Sequence, residues 1–242
     1  MPLHRRHQDI DHDVSPLDRV LPTLAGGMLV VVLVAALSLV MYTRTLEAPR
    51  TSLERDIVKY RAAIEQAPST LSNHLLLASS YATAGRKEDA LETVRRARAL
   101  SDAAMVDLTE AEVLRLLGSS AEALPLYDLA VQKAQEEHDR TLIDLRGRTV
   151  TLDPPNALLA RALQGRAKAL LELGEIQRSI EDLEQASQIL PTDADILAAL
   201  GTHRIRSRDV TGAVEAFMGA LRFVPDHREA LEGLEKAGVT AP

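Results

Sequence analysis

Apolar residues recur along most of the chain at the spacing of an α-helix. Leu163, Ala167, Leu170 and Leu171 place an apolar stripe on one helical face. No segment alternates apolar and polar residues strictly, as a half-buried strand would. The pattern therefore predicts an all-α protein.

One segment near the N-terminus differs, because it is apolar on every side. No charged residue lies between Arg19 and Arg44. A helix over residues 21–42 rises about 33 Å, which matches the hydrocarbon core of a bilayer, about 30 Å thick. The apolar region of a cleaved signal peptide is shorter, about 7 to 15 residues. We therefore predict a transmembrane helix at 21–43, preceded by a polar, solvated tail at 1–20.

The remainder of the chain contains a repeat. Segments 160–193 and 194–227 align without a gap at a period of 34 residues. The positions that match at this period are Pro191 and Pro225, Ala167 and Gly201, Ser179 and Ala213, Leu183 and Phe217, and Ala186 and Ala220. Period and residue types resemble the tetratricopeptide repeat, whose unit is a hairpin of two helices. The same register fits segments 71–104 and 104–137.

This resemblance implies a helical-hairpin solenoid of about four repeats plus flanking helices, because one hairpin cannot bury its own apolar face. The predicted segments are a juxtamembrane stretch with a half-repeat helix at 44–70, repeats one and two at 71–135, an insertion at 136–157, repeats three and four at 158–227, and a capping helix with the C-terminus at 226–242. We expect the insertion to begin as a helix extension and to end at Pro154 and Pro155. Asp226 and Glu229 predict a capping box at the start of the capping helix.

The chemistry of the chain points to binding. Lys and Arg total 28 against 35 Asp and Glu, and this acidic balance argues against nucleic acid. The absence of cysteine excludes disulfides, thiolate metal sites and cysteine nucleophiles. No nucleotide cradle, zinc helix or nucleophile elbow has the required spacing. We therefore predict that the chain is not an enzyme and has no catalytic residues, metal, cofactor or small-molecule substrate.

The resemblance also implies a concave groove, lined by the first helix of each repeat, in which a protein or peptide binds. The register assigns Leu75 and Ser79 of repeat one, Met105, Leu108, Glu112 and Arg115 of repeat two, Arg161, Gln164 and Lys168 of repeat three, and Thr202 and Arg206 of repeat four to it. Arg161, Lys168 and Arg206 suit an acidic or terminal-carboxylate ligand. The alternative is that these side chains are simply solvated.

The layout resembles assembly factors of the bacterial envelope, such as the repeat subunits of cytochrome c maturation and the ancillary chaperone of the secretion channel. It implies a membrane-tethered interaction module that holds a partner or an unfolded polypeptide during the assembly or maturation of envelope proteins. It favours a single-pass protein of the bacterial cytoplasmic membrane with an extracytoplasmic repeat domain. The five Lys and Arg at 44–61, against three before the span, favour the opposite orientation. A scaffold subunit of a membrane complex and a cytoplasmic-facing adaptor are the alternatives.

Overall fold

The computed structural model describes residues 51–146 and 154–239, together with Met28 and residues 32–38. The chain divides into two compact units, Met1–Arg50 and Thr51–Pro242. All regular structure among the described residues is helical, which confirms the predicted all-α class.

In the first unit, Met28 and residues 32–38 are helical, and their side chains are exposed. The polar tail at 1–20 and most of the predicted transmembrane segment at 21–43 lie outside the described residues. A search of the described helices for one that is both long and apolar enough to span a bilayer finds none.

The described part of the second unit contains ten helices, α1 to α10. Their bounds are Ser52–Gln66 for α1, Leu71–Thr83 for α2, Lys87–Leu100 for α3, Ala104–Leu116 for α4, Ser120–Arg146 for α5, Ala157–Glu172 for α6, Ile176–Ile189 for α7, Ala194–Arg206 for α8, Val210–Phe223 for α9 and Arg228–Lys236 for α10. The hairpins of repeats one to four are α2–α3, α4–α5, α6–α7 and α8–α9. Each second helix also packs on the first helix of the next hairpin, so the hairpins stack into a solenoid.

Each hairpin turns through one residue in the left-handed backbone region. Gly85, Gly118 and Gly174 occupy this position in repeats one to three, with φ of 70°, 82° and 82°. Repeat four has Arg208 at the same place, with φ of 68°. A residue with a Cβ atom adopts this conformation at a cost of about 1 kcal/mol, so the fourth turn is strained relative to the other three.

Small residues at the crossing of the paired helices are all buried in the core. They are Ala78 and Ala97, Ala111 and Ala130, Ala167 and Ala186, and Gly201 and Ala220. The absence of large side chains at these positions lets the two helices of each hairpin approach closely.

Charged residues at positions that are commonly apolar in this repeat are held by ion pairs between helices. Arg166 Nη2 of α6 lies 2.7 Å from Asp182 Oδ1 of α7. Arg204 Nη2 of α8 lies 2.7 Å from Glu184 Oε1 of α7. Because each half-buried guanidinium has a carboxylate partner, these departures from the repeat pattern are accommodated within the solenoid.

Asp107 occupies the position at which this repeat often has an aromatic residue, and it is fully buried. Its carboxylate oxygens lie 2.7 Å from Arg98 Nη2 and 2.9 Å from Lys133 Nζ. These contacts lack hydrogen-bond angles, so they act as ion pairs. Arg98 Nη2 also lies 2.6 Å from Glu110 Oε2, and the cluster joins α3, α4 and α5.

The insertion begins as predicted, since residues 136–146 continue α5 without a break. Residues 147–153 lie outside the described residues. The insertion ends where Asn156 caps α6 by accepting a hydrogen bond from the Leu159 amide at 3.0 Å. Its side-chain nitrogen donates to the Ala134 carbonyl at 3.0 Å, so the end of the insertion is tied to α5.

The predicted capping box at the start of α10 is wrong. The N-cap is His227, whose Nδ1 accepts a hydrogen bond from the Ala230 amide at 3.3 Å. Glu229 accepts a hydrogen bond from the Thr202 hydroxyl of α8 at 2.9 Å instead. The Glu229 side chain thus binds a residue of another helix instead of capping α10.

Candidate functional site

The first helices of repeats one to three surround a cavity of about 180 Å³, which we name the central cavity. Its lining is mainly polar and consists of Ser79 from α2, Met105, Leu108, Thr109 and Glu112 from α4, and Arg161, Gln164, Gly165 and Lys168 from α6. Seven of the eleven residues predicted for the groove are among them. The structure therefore brings these seven side chains, from three repeats, to one surface.

Gly165 lines the floor of the central cavity and lies against Tyr127, which is buried behind this floor. Tyr127 of α5 is fully buried, and a Cβ atom at Gly165 would lie 2.5 Å from its Cε1 atom. Two carbon atoms in contact are normally about 3.5 to 4 Å apart, so a methyl group does not fit. Glycine therefore lets the backbone of α6 lie directly against the tyrosine ring.

Beside this floor, a carboxylate is neutralised by residues of the chain itself. The Tyr127 hydroxyl donates to Glu112 Oε2 at 2.6 Å, and Arg115 Nη2 lies 2.7 Å from Glu112 Oε1. Burial favours the protonated form of Glu112, but hydrogen bonds from Arg115 and Tyr127 outweigh it and lower the pKa of Glu112. Burial first, and then the Glu112 charge, raise the pKa of Tyr127. Glu112 is therefore ionised and already compensated by Arg115.

The positive charges of the central cavity are not compensated in the same way. Arg161 is exposed and Lys168 is half-buried. Within residues 51–146 and 154–239, neither makes a hydrogen bond or an ion pair. Arg115 and Arg166, which are 13% and 19% exposed, each have carboxylate partners. The central cavity thus carries two cationic side chains that are available to an anionic ligand.

A second cavity, of about 250 Å³, lies at the C-terminal end of the solenoid, and we name it the terminal cavity. Its lining is mainly apolar and consists of Thr202, Ile205 and Arg206 from α8, Phe217 from α9, and Glu229, Glu232, Gly233 and Lys236 from α10. Thr202 and Arg206 are the two groove residues predicted in repeat four. The predicted set is therefore divided between two cavities.

Phe217 forms the floor of the terminal cavity and is held between two glycines. It is fully buried, and a Cβ atom at Gly201 would lie 2.5 Å from its Cε1 atom. A Cβ atom at Gly233 would overlap its Cζ atom. The ring therefore fits only because α8 and α10 both present bare backbone to it.

Two cations and two carboxylates lie at the rim of the terminal cavity. Arg206 and Lys236 have no hydrogen bond or ion pair in the described part of the chain. Glu229 is engaged by the Thr202 hydroxyl, and Glu232 Oε1 lies 3.8 Å from Arg228 Nε. The formal charges of the four rim residues cancel, unlike the cationic rim of the central cavity.

His203 is a buried histidine that responds to charges from both cavities. It is 3% exposed, and its Nδ1 lies 3.1 Å from the Ser179 hydroxyl oxygen. Burial, followed by the positive charges of Lys168 and Arg206, lowers the pKa of His203 to about 4. His203 is therefore neutral at pH 7, because burial and the neighbouring positive charges disfavour its protonation.

Two of the predicted groove residues line neither cavity. Leu75 is buried against Ala97 and Val106, because its face of α2 packs onto the adjacent helices. Arg115 reaches away from the central cavity to Glu172 Oε1, at 2.7 Å. The register assigned them to the groove from the helical face that they occupy, and it does not state which neighbour covers that face.

The lining residues missed by the sequence analysis follow a pattern that the repeat alignment contains. They are Thr109 and Gly165 in the central cavity, and Ile205, Phe217, Glu229, Glu232, Gly233 and Lys236 in the terminal cavity. Gly165 and Gly233 stand at equivalent positions of the first helix, two periods apart, and each follows a repeat with an aromatic residue in its second helix. This pairing of ring and glycine was the available signal.

Among the residues that the structure describes, no cluster of three or more His, Asp or Glu side chains is arranged to hold a metal ion. The two cavities offer charge, hydrogen bonds and apolar surface. They are therefore suited to binding a polypeptide or another flexible ligand.

Comparison with known proteins identifies the fold. No family model matches the chain. PilW, described as a widely conserved type IV pilus biogenesis factor, superposes with a TM-score of 0.55 at 15% identity, over 82% of this chain and 84% of PilW. YrrB, described as a TPR protein with an unusual peptide-binding site, gives 0.50 at 20% identity, over 76% and 84%. A MamA fragment from Desulfovibrio magneticus RS-1 gives 0.50 at 18% identity, over 80% and 97%. At these identities the likeness concerns the fold, and the chain has the all-helical fold of tetratricopeptide-repeat proteins.

Proposed function

We propose that the chain is a protein-binding module, not an enzyme, and that it holds an extended acidic polypeptide segment on the face formed by α2, α4, α6, α8 and α10. The observation that carries this proposal is the central cavity, where Arg161 and Lys168 make no hydrogen bond or ion pair within the described ranges, while Glu112 is already paired with Arg115. A carboxylate that reaches these two cations gains charge-assisted hydrogen bonds that the folded chain does not itself supply.

A further part of the proposal is that residues 21–43 tether this module to the bacterial cytoplasmic membrane as a single transmembrane helix. The support is the absence of charge between Arg19 and Arg44. A tether raises the effective concentration of the module toward other membrane-bound proteins without any added contact, so weak binding in the groove suffices.

We further propose that the repeat domain faces away from the cytoplasm and assists the assembly or maturation of envelope proteins. PilW, which shares the fold, is described as a pilus biogenesis factor, so the fold is compatible with such a role. The residues that carry the proposed binding are the cations of the central cavity, Arg161 and Lys168, and they are the ones to test.

The binding proposal is tested by fluorescence anisotropy with the full chain in detergent micelles and a labelled acidic peptide of about 12 residues. Lys168→Ala is expected to weaken binding about tenfold, since one charge-assisted contact is worth about 1.5 to 3 kcal/mol. Raising the NaCl concentration is expected to weaken binding by the unchanged chain, because it screens these contacts. The uncharged peptide with Asn and Gln in place of Asp and Glu serves as the ligand control.

Arg222→Ala is the matched protein control, because Arg222 is an exposed cation of α9 that lines neither cavity. It is expected to leave binding unchanged. Equal affinity of the Lys168→Ala and Arg222→Ala variants for the acidic peptide would contradict the proposal. In that case, oligomerisation or constant stoichiometry with a membrane complex would support the scaffold alternative.

The tether and its direction are tested by labelling cysteines in intact cells with a membrane-impermeant maleimide, after permeabilising the outer membrane where there is one. The chain has no native cysteine, so Gln188→Cys, exposed on α7, reports on the repeat domain, and Ser15→Cys reports on the tail. Labelling at 188 but not at 15 is expected. The reverse pattern would identify a cytoplasmic-facing adaptor, and recovery of the chain in the soluble fraction would refute the tether.

A further inference from the structure

We propose that the terminal cavity holds a large apolar side chain of the bound peptide, about six residues from the acidic residue that contacts the central cavity. This inference rests on the proposed function, since it concerns a second contact made by the same peptide. It assigns a role to Ile205, Phe217 and Gly233, which do not contribute to the charge-based binding proposed above.

The lining of the terminal cavity suits an apolar group. The lining is mainly apolar: Ile205 contributes side-chain surface, and the fully buried ring of Phe217 lies behind the bare backbone of Gly233. An apolar cavity of about 150 Å³ is large enough to bind benzene. The terminal cavity, at about 250 Å³, therefore has room for the side chain of a leucine or a phenylalanine.

The charges at the rim separate this cavity from the central one. Arg206 and Lys236 are opposed by Glu229 and Glu232, so a carboxylate at this rim meets as much repulsion as attraction. At the central cavity, Arg161 and Lys168 face a carboxylate that Arg115 already compensates. The two ends of the face therefore select different chemistry, acidic at the centre and apolar at the terminus.

The spacing follows from the stacking of the first helices. The central cavity lies between α4 and α6, and the terminal cavity lies between α8 and α10. Packed helices lie about 8 to 10 Å apart, and α6 and α8 are not packed as closely as the other first helices, so two steps separate the cavities by at least about 16 to 20 Å. An extended peptide rises about 3.3 Å per residue, so about five or six residues bridge this distance.

The experiment measures the affinity of the full chain in detergent micelles for a set of labelled peptides. Each peptide has an Asp-Asp pair and one Leu in a Gly-Ser background, with the Leu placed two, four, six, eight or ten residues from the pair, on either side. One order with a spacing near six is expected to bind about tenfold more tightly than the same peptide with Ser in place of Leu.

Ile205→Gln tests the cavity directly, because it keeps the size of the side chain and makes the lining polar. It is expected to abolish the tenfold advantage of the Leu peptide and to leave the Ser peptide unaffected. Val210→Gln is the matched control, since Val210 is an exposed apolar residue that lines neither cavity. Thermal unfolding of both variants checks that they are folded.

The outcomes separate the two proposals. Binding of acidic peptides that depends on Lys168 but is indifferent to the Leu, its spacing and Ile205→Gln would overturn this inference and leave the proposed function standing. Insensitivity of all peptides to Lys168→Ala would overturn the proposed function and this inference together. An advantage of Leu at every spacing would also overturn the inference, because it would indicate nonspecific apolar contact.

Discussion

The central and terminal cavities share a frame but differ in chemistry. In each, an aromatic ring from the second helix of one repeat lies against a glycine in the next first helix, with Tyr127 against Gly165 and Phe217 against Gly233. Tyr127 carries a hydroxyl that donates to Glu112 and thereby holds a charged network at the centre. Phe217 has no such group, and the terminal cavity is mainly apolar. One hydroxyl group therefore separates two otherwise similar frames.

Repeat three shows what the same frame becomes without the ring. Leu183 and Ala199 stand where the other two frames have an aromatic residue and a glycine, and both are buried. The smaller Leu side chain leaves room for the methyl group of alanine on the facing helix. Ring with glycine and leucine with alanine are thus two solutions to the same packing requirement.

The largest expected effect concerns His203, which lies between the charges of the two cavities. Its pKa of about 4 in the folded chain lies below the ordinary value of 6.5, so the unfolded chain takes up the proton first. The stability that depends on neutral His203 is complete above pH 6.5 and is lost as the pH falls toward 4. The expected loss is about 3 kcal/mol, at 1.36 kcal/mol per pKa unit.

The measurement is urea unfolding of the unchanged chain and of His203→Gln between pH 7.5 and 4. Carboxylates titrate in both proteins, so the difference between the two free energies of unfolding isolates the histidine. Between pH 7.5 and 4, the free energy of unfolding of the unchanged chain should fall by about 3 kcal/mol more than that of His203→Gln. A constant difference would mean that His203 is as easily protonated in the folded chain as in the unfolded one.

The next effect tests the ring-and-glycine frame. Gly233→Ala places a methyl group against Phe217, and overpacking of this kind costs about 1 to 3 kcal/mol, less about 1 kcal/mol gained from helix propensity. We expect a net loss of up to about 2 kcal/mol in the free energy of unfolding. Adding Phe217→Leu reproduces the pair found in repeat three and should recover most of it. If the double variant is less stable than either single variant, the two positions are not coupled as described.

Removing the hydroxyl that distinguishes the two cavities should have a smaller effect. Tyr127→Phe makes the central floor resemble the terminal one and deletes the 2.6 Å hydrogen bond to Glu112. A hydrogen bond to a charged group contributes about 1.5 kcal/mol or more, so the free energy of unfolding should fall by about 1.5 kcal/mol. Chemical denaturation measures it, and an unchanged midpoint would show that Arg115 alone holds the carboxylate.

The smallest effect is an increase in stability at the turn of repeat four. Arg208→Gly replaces a side chain in the left-handed region with the residue that occupies this turn in repeats one to three. We expect the free energy of unfolding to rise by up to about 1 kcal/mol, reduced by the greater freedom of glycine in the unfolded chain. The converse control, Gly174→Arg, should destabilise repeat three. A loss of stability in Arg208→Gly would indicate a tertiary role for the Arg208 side chain.

The sequence by itself determined the features that depend on local spacing. The period of 34 residues predicted the hairpins and their buried small residues, because each recurs at a set distance along the helix. The same register placed seven groove candidates on one surface, since residues one helical turn apart share a face. The helical continuation of α5 over residues 136–146 followed from local pattern in the same way.

Only the tertiary structure decided which neighbour each side chain meets. Arg115 is 57 residues from its partner Glu172, and Thr202 is 27 residues from Glu229. Both contacts join separate helices, and the contact of Glu229 replaces the predicted capping box. The burial that lowers the pKa of His203 likewise arises where helices from different repeats meet. The terminal cavity forms in the same way, where α8 and α9 meet α10. A repeat pattern states which face a residue occupies, whereas charge, burial and cavity depend on what lies across from that face.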